Sequence, residues 1–241
     1  MENIGKFEVI ERFADKMDIT EIIKCLEKHI EKTEIIGNGN NAFVNTLEYF
    51  DQKFGPICVK SIKEFPKFIV NDIHTEADFQ KKLFDGGVKT PRYLYLLKDI
   101  VSKKEYLVME QIIGPTIEEA FLNPSVVPLG FNNKEFINKL DSEIKKMHSM
   151  GVVHRDLHWG NIMIDQDNDP VIIDFGTATD ADHNSENAYL ESALKFDETT
   201  KTYKSVSGYF RNDKDELHNI NTKIAKIGIK VKMYDSLGNE I

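Results

Sequence analysis

Hydrophobic residues in the first half of the chain recur in two different patterns. In residues 8–32 their spacing is roughly helical, which predicts one or two helices there. Residues 33–64 contain three short apolar stretches separated by Gly, Asn and Pro, a pattern typical of antiparallel strands. Residues 72–85 have a helical pattern that ends at two glycines, and strand-like runs follow in residues 91–100 and 104–112. This order predicts a small lobe built on a five-stranded antiparallel sheet.

The second half of the chain has a mainly helical pattern. Residues 133–150 place apolar side chains on one helical face, and a last helix is expected at about 213–227. Residues 178–210 are polar without clear periodicity, which predicts mostly loop. The expected fold is therefore α+β with two lobes. Its predicted parts are a helical N-terminal extension at 1–32, the sheet-based lobe at 33–113 and a short, mainly helical lobe at 114–241.

Composition narrows the class of protein. Hydrophobic residues make up 41% of the 241 residues and charged residues 29%, as in ordinary globular domains. A net charge of −9 argues against nucleic-acid binding, which normally needs a basic face. No apolar run reaches the ~20 residues that span a bilayer, and the N-terminus does not resemble a secretory signal peptide. Together with only two cysteines, these features predict a cytoplasmic protein.

The strongest chemical signal lies in two motifs at a fixed spacing. Residues 154–161 read HRDLHWGN, and Asp174-Phe175-Gly176 follows Asn161 after a gap that a short hairpin would fill. These motifs resemble the catalytic loop and the metal-binding motif of the protein kinase superfamily. The resemblance implies that Asp156 orients the attacking hydroxyl and accepts its proton, while Asn161 and Asp174 bind Mg²⁺. It also places His154 and Arg155 in the catalytic motif.

The nucleotide-binding elements of the same superfamily have counterparts upstream. Glycines at Gly37 and Gly39 would let backbone N–H groups approach the phosphates of ATP, and Val44 would cover the adenine ring. Lys60, in the next predicted strand after Val44, corresponds to the lysine that binds the α- and β-phosphates. Glu76 is the predicted ion-pair partner of Lys60, with Glu64 and Asp78 as rivals. The resemblance further implies an adenine pocket formed by Cys58, Met109, Glu110, Ile112 and Met163.

The resemblance weakens after Gly176. No Ala-Pro-Glu motif closes the activation segment, and the chain from 177 to 241 is short for the rest of a kinase, which predicts a reduced C-terminal lobe. In this respect the chain is similar to small kinases that bacterial secretion systems deliver into host cells, so secretion into a host cytosol is a second predicted location. Asp215 is expected either to bond the catalytic-loop backbone, as an equivalent Asp does in kinases, or to be solvated.

Three functions remain open at this stage, all with ATP as the nucleotide. The first is a minimal, effector-like serine/threonine protein kinase with a protein substrate, in which Arg155 binds a phosphate on the activation segment at Thr177, Thr179 or Tyr189. The second is a small-molecule phosphotransferase, because His158 replaces the lysine of most protein kinases and is similar to the residue in aminoglycoside and choline kinases. The third is a nucleotide-binding pseudokinase that acts as a binding module.

Overall fold

The computed structural model describes most of the chain. The described residues are 2–13, 18–29, 35–38, 41–51, 53, 55–64, 66–69, 71–182, 193–206 and 210–227. Gly39 and Tyr189, which the sequence marks as a phosphate-loop glycine and a candidate phosphate acceptor, lie outside these residues. Among the described residues, no helix is long and apolar enough to cross a bilayer. The α+β class predicted from the sequence is confirmed.

A seven-stranded antiparallel sheet forms the small lobe, with strand order β1-β2-β7-β8-β5-β4-β3. The five strands predicted within residues 33–112 are all present, and two N-terminal strands extend the sheet beyond β7. The strands are β1 (Glu2–Ile4), β2 (Phe7–Arg12), β3 (Ile35–Asn38), β4 (Ala42–Asp51), β5 (Gly55–Ile62), β7 (Tyr93–Asp99) and β8 (Glu105–Glu110). A further short strand, β6 (Phe68–Ile69), lies outside this sheet.

The helical prediction for residues 8–32 was wrong at its start. Residues 8–12 belong to β2, which pairs with β7 and buries Phe7 and Val9 on alternate positions. The helix α1 (Ile19–His29) accounts for the rest of the helical pattern, and its apolar face packs in the same core as Phe7 and Val9. Over so few residues, an alternating strand pattern and a helical pattern cannot be told apart. Pairing with β7 makes residues 8–12 a strand.

Helices cover both faces of the small-lobe sheet. Alternation along β5 sends Ile57 and Val59 into the core under α1, and Cys58 and Lys60 to the other face. On that second face lies α2 (Ile73–Asp85), whose N-cap Asp72 accepts a hydrogen bond from the Thr75 N–H. The buried face of α2 carries polar as well as apolar residues, namely Ile73, Glu76, Ala77, Gln80 and Leu83. Burying this helix therefore brings a carboxylate to the face of the sheet that bears Lys60.

The large lobe is built around helices α3 (Ile117–Leu122), α4 (Asn133–Ser149) and α5 (Asp213–Ile224). α4 buries four residues at helical spacing, and its last turn precedes the catalytic loop. Short strands frame that loop: β9 (Val152–Val153) pairs with β12 (Thr179–Asp180), and β10 (Ile162–Ile164) pairs with β11 (Pro170–Ile172). The apolar core includes Phe136, Leu140, Ile144, Met147, Leu157, Phe175, Ile220 and Ile224. The predicted catalytic motifs thus lie on loops that pack against the helices of the large lobe.

Gly114 connects the two lobes at a point that tolerates no side chain. Its φ is +151°, and a Cβ there would lie 1.8 Å from the carbonyl oxygen of Ile164. The next residue, Pro115, accepts a hydrogen bond from the Ile164 N–H at 2.8 Å. The segment between the lobes is therefore bound closely to β10, which leads out of the catalytic loop.

Residues 178–210 are not mainly loop where they are described. β13 (Ala193–Asp197) and β14 (Thr202–Val206) form an antiparallel hairpin, and β13 also pairs with β6 of the small lobe. The Asp197 carboxylate closes the turn by accepting hydrogen bonds from the N–H groups of Thr199 and Thr200 at 2.9 and 3.2 Å. Polar residues outnumber apolar ones in this hairpin, so its sequence has no clear strand periodicity. Its strand conformation is stabilised instead by pairing with the distant strand β6.

Candidate active site

An ion cluster at the cleft joins three separate segments of the chain. The ammonium of Lys60, on β5, lies 2.5 Å from Glu76 Oε1 on α2 and 2.8 Å from Asp174 Oδ1. Lys60 and Glu76 are only 6% and 3% exposed. The rival carboxylates Glu64 and Asp78 are both solvent-exposed. The structure therefore brings Lys60 together with the predicted partner Glu76, and adds Asp174 to the pair.

Attraction between opposite charges in this cluster stabilises the ionised forms of Lys60 and Asp174, although both groups lose hydration. Burial opposes the positive charge of Lys60, but Asp174 and Glu76 outweigh it and raise the pKa of the ammonium. Lost hydration also opposes ionisation of Asp174, yet Lys60 lowers the pKa of that carboxyl to about 2. Burial raises the pKa of Glu76 even with Lys60 beside it. At neutral pH a charged Lys60 thus faces an ionised Asp174, whose side chain remains 49% exposed to the cleft.

The backbone of the catalytic loop is held by the carboxylate of Asp213. The N–H groups of His154 and Arg155 donate to its two oxygens at 2.8 and 2.9 Å, and His148 Nε2 lies 3.0 Å away. Asp213 is fully buried in the first turn of α5. Of the two roles expected for Asp215, the structure agrees with the solvated one, because Asp215 is exposed and Asp213 bonds the loop instead. Two residues along a helix turn the side chain by about 200°, so only one of these acids can face the loop.

His154 and Arg155 connect the catalytic loop to the segment after Gly176. His154 Nε2 lies 3.0 Å from the Ile173 carbonyl, and the Thr177 hydroxyl donates to the His154 carbonyl at 2.8 Å. Arg155 Nε donates to the Thr177 carbonyl at 2.7 Å, while its guanidinium lies 4.0 Å from the centre of the Phe210 ring. Thr177 is buried and its hydroxyl is already bonded, so it is not an accessible phosphate acceptor.

The two predicted metal ligands are joined through the backbone. Asn161 Nδ2 donates to the carbonyl of Asp156 at 3.0 Å, and the Asn161 carbonyl accepts from the N–H of Ile173, the residue before Asp174. With its amide nitrogen engaged, Asn161 has its amide oxygen left for a cation. Among the described residues, no cluster of three or more His, Cys, Asp or Glu side chains could hold a metal. An amide and a carboxylate suit Mg²⁺ that takes its other oxygens from phosphates and water.

Asp156 lies half-buried between two neighbours. Its Oδ1 is 3.3 Å from Arg211 Nε, and its Oδ2 is 3.9 Å from His158 Nε2. Burial raises the pKa of Asp156 to about 6, although electrostatic interactions with His154 and with the Arg211 guanidinium act to lower it. The carboxyl is therefore mainly ionised at neutral pH.

The predicted adenine pocket is assembled by strand register. On adjacent strands Val44 lies opposite Lys60, and Cys58 lies opposite Met109. Cys58, Met109 and Val44 pack in one apolar cluster. Burial raises the pKa of the Cys58 thiol to about 12, so it acts as a small apolar group rather than a nucleophile.

The other predicted nucleotide contacts lie around this pocket. The Glu110 N–H donates to the Arg92 carbonyl at 2.9 Å, and the Glu110 carbonyl accepts a weak hydrogen bond from the Cys58 thiol at 3.7 Å, so its second lone pair is the backbone acceptor for a purine amine. Ile112 follows β8 in the segment between the lobes, and Met163 lies on β10. Gly37 pairs with Val44, and a Cβ at Gly37 would lie 3.3 Å from Val44 Cβ. These positions are those expected of residues around a nucleotide.

Asn71 is a site residue that the sequence analysis missed. Its side-chain Nδ2 donates to the carbonyls of Ala178 at 2.8 Å and Phe175 at 3.3 Å, and its N–H donates to the Gly176 carbonyl at 3.0 Å. Asn71 precedes the N-cap of α2, where an Asn ordinarily signals only a helix start. It connects the helix that carries Glu76 to the segment that carries Asp174.

Replacing Asn71 by Ala is expected to lower the turnover number about tenfold, because two side-chain hydrogen bonds of about 0.5–1.5 kcal/mol each hold α2 against the Asp174 segment. The Asn132→Ala substitution, at the exposed N-cap of α4, is the matched control and should keep wild-type turnover. Steady-state rates of both variants test the expectation. Equal turnover in the Asn71→Ala variant and the wild type would contradict it.

Comparison with known proteins agrees with this geometry. The model of the protein kinase domain matches residues 30–206. The chain is 29% identical over 180 residues to a probable serine/threonine-protein kinase of Dictyostelium discoideum, which covers 71% of this chain and 12% of that protein. It is 27% identical over 164 residues to probable serine/threonine-protein kinase 2 of Plasmodium falciparum, covering 65% of this chain and 29% of that protein.

A bacterial relative shows the same kind of match. The chain is 25% identical over 142 residues to a probable serine/threonine-protein kinase of Lactococcus lactis, covering 58% of this chain and 22% of that protein. The fold and the cleft define the class of kinase-like proteins. Within this class, the chain belongs to the protein kinase domain family. It spans less than a third of the length of each of these three relatives.

Proposed function

We propose that this chain transfers the γ-phosphoryl group of ATP, with Mg²⁺, to a serine or threonine hydroxyl of a protein. The observation that carries the proposal is the contact of the buried Lys60 ammonium with both Glu76 and Asp174. In protein kinases the lysine–glutamate ion pair and the metal-binding Asp must both be in place for transfer. Here Lys60 contacts both carboxylates, which supports an assembled catalytic site.

Each residue would make a separate contribution to transfer. Lys60 would bind the α- and β-phosphates, and the backbone around Gly37 would lie over them. Asp174 and the amide oxygen of Asn161 would hold Mg²⁺, which neutralises charge on the phosphates when bound. Asp156 would orient the acceptor hydroxyl and take its proton. The pocket of Val44, Cys58, Met109 and Met163 would hold the adenine ring away from water, with Glu110 and Ile112 at its edge.

A protein acceptor is the interpretation that the relatives favour. The three relatives are named as serine/threonine-protein kinases, and those names supply the substrate class in this proposal. A small-molecule acceptor remains the alternative that His158 suggested. The minimal, effector-like build and delivery into a host cell stay predictions.

The experiment that tests the proposal uses purified protein, Mg²⁺ and radiolabelled ATP, with and without a generic protein acceptor. Label is expected on serine or threonine in the acceptor or in the chain itself. The control is Asp174→Asn, because Asn tolerates the left-handed backbone that Asp174 adopts at a φ of +65° and removes only the charge. Label that is lost in this variant supports the proposal. Absence of protein label, with phosphate appearing on a small alcohol such as an aminoglycoside or choline, would overturn the protein acceptor.

A further inference from the structure

The position two residues after Asp156 carries no charge in this chain. His158 accepts a hydrogen bond at Nδ1 from the Gly160 N–H at 3.0 Å, so the ring of a neutral His158 bears its proton on Nε2. Burial, together with the nearby Arg211 guanidinium, lowers the pKa of His158 to about 4. The ring is therefore neutral at physiological pH. Protein kinases commonly have a lysine here, so a cation beside the catalytic carboxylate must come from elsewhere if one is required.

Arg211 brings a positive charge to the same carboxylate from a different part of the chain. Its Nε lies 3.3 Å from Asp156 Oδ1, on the oxygen that does not face His158. Its Nη1 lies 3.6 Å from Glu216 Oε2, in the first turn of α5. The guanidinium thus lies between two carboxylates, that of Asp156 in the catalytic loop and that of Glu216 on α5.

The backbone fixes Arg211 at this place. Its N–H donates to the Arg155 carbonyl at 2.7 Å, directly before Asp156. Asp213, two residues after Arg211, binds the N–H groups of His154 and Arg155. The start of α5 therefore holds both the backbone of the catalytic loop, through Asp213, and the side chain of Asp156, through Arg211.

We infer that Arg211 is a positioning residue for phosphoryl transfer, whose guanidinium holds the Asp156 carboxylate in the orientation that an acceptor hydroxyl needs. The inference rests on the proposed function. A planar guanidinium with several fixed donors restrains a carboxylate better than a flexible ammonium does. Arg211 supplies such a guanidinium from outside the recognised motifs.

The test compares Arg211→Ala with Arg211→Lys and the wild type in the radiolabel assay. Arg211→Ala is expected to lower the turnover number at least about tenfold, as for loss of a group that orients a catalytic side chain, while KM for ATP stays within about twofold. Arg211→Lys should recover part of the loss, because it keeps the charge but not the fork. Arg12→Ala, which removes an exposed arginine on β2, is the control for loss of an arginine and should match the wild type.

A double-mutant cycle separates positioning from general damage. If Arg211 acts through Asp156, then Arg211→Ala should cause little further loss of rate in an Asp156→Asn background. Equal fold losses in both backgrounds, or wild-type turnover in Arg211→Ala, would overturn the inference and leave the proposed function intact. Absence of transfer by the wild type would remove the proposed function itself. Thermal unfolding of the wild type, Arg211→Ala, Asp156→Asn and the double variant should show shifts in the unfolding midpoint that are not additive. Additive shifts would contradict a direct interaction between the two side chains.

Discussion

Replacing Asp156 by Asn is expected to lower the turnover number by a factor of about 10²–10⁴ while nucleotide binding stays nearly unchanged. The lost carboxylate is the group that would accept the proton of the acceptor hydroxyl, and removal of such a base has effects of about this size. Asn161 bonds the backbone carbonyl of residue 156 rather than its side chain, so the substitution leaves the metal ligand in place. Turnover and ATP affinity, measured separately, test the expectation.

Lys60→Ala is the contrasting variant for this prediction. It removes a side chain that contacts both Glu76 and Asp174, and it leaves the buried Glu76 carboxylate without its cation. Both turnover and ATP affinity should therefore fall. Wild-type turnover in Asp156→Asn would show that the catalytic loop has been assigned wrongly.

Asp213→Ala is expected to destabilise the fold by about 3 kcal/mol or more and to abolish transfer. The substitution leaves the buried N–H groups of His154 and Arg155 without their acceptor, and each unsatisfied buried donor costs about 1–3 kcal/mol. His148 loses its contact with the same carboxylate. The catalytic loop would then lose the backbone anchor that sets the direction of Asp156. Chemical denaturation and turnover measure the two effects.

Asp215→Ala is the matched control, because it removes the same side chain two residues along the same helix. Asp215 is exposed, and such surface substitutions usually change the free energy of unfolding by less than about 0.5 kcal/mol. Near-equal stability of the Asp213→Ala and Asp215→Ala variants would show that Asp213 does not anchor the loop.

Resemblance of the sequence motifs to those of protein kinases located the groups that the structure brings together at the centre of the site. Lys60, Asp156, Asn161 and Asp174 could be named from motifs at the expected spacing, whereas Glu76 was the favoured one of three candidate acids. Such motifs can be found in a sequence because phosphoryl transfer needs these residue types at particular turns and strand ends. The exposed positions of Glu64 and Asp78 then separate Glu76 from its rivals by burial, which the sequence could not show.

The residues that could not be predicted from the sequence make contacts between distant parts of the chain. Asn71, at the start of α2, bonds the carbonyls of Phe175 and Ala178, and Arg211, just before α5, contacts the carboxylate of Asp156. Neither belongs to a local pattern. The same reason explains β2 and β13, whose strand conformation comes from pairing with β7 and β6 rather than from their own periodicity. Tertiary pairing decides such segments, so a single sequence gives no signal for them.

Two residues of the catalytic motifs adopt a backbone conformation that L-amino acids normally avoid. Arg155 and Asp174 have φ values of +66° and +65°. For a side chain other than Gly, Asn or Asp this conformation costs about 1–2 kcal/mol, and even for Asp it is uncommon. Selection for stability alone would favour Gly or Asn at both positions. The chain therefore keeps a less stable backbone conformation at two positions whose charged side chains lie at the proposed active site, and a stabilising change at either position is expected to lower the proposed phosphoryl transfer.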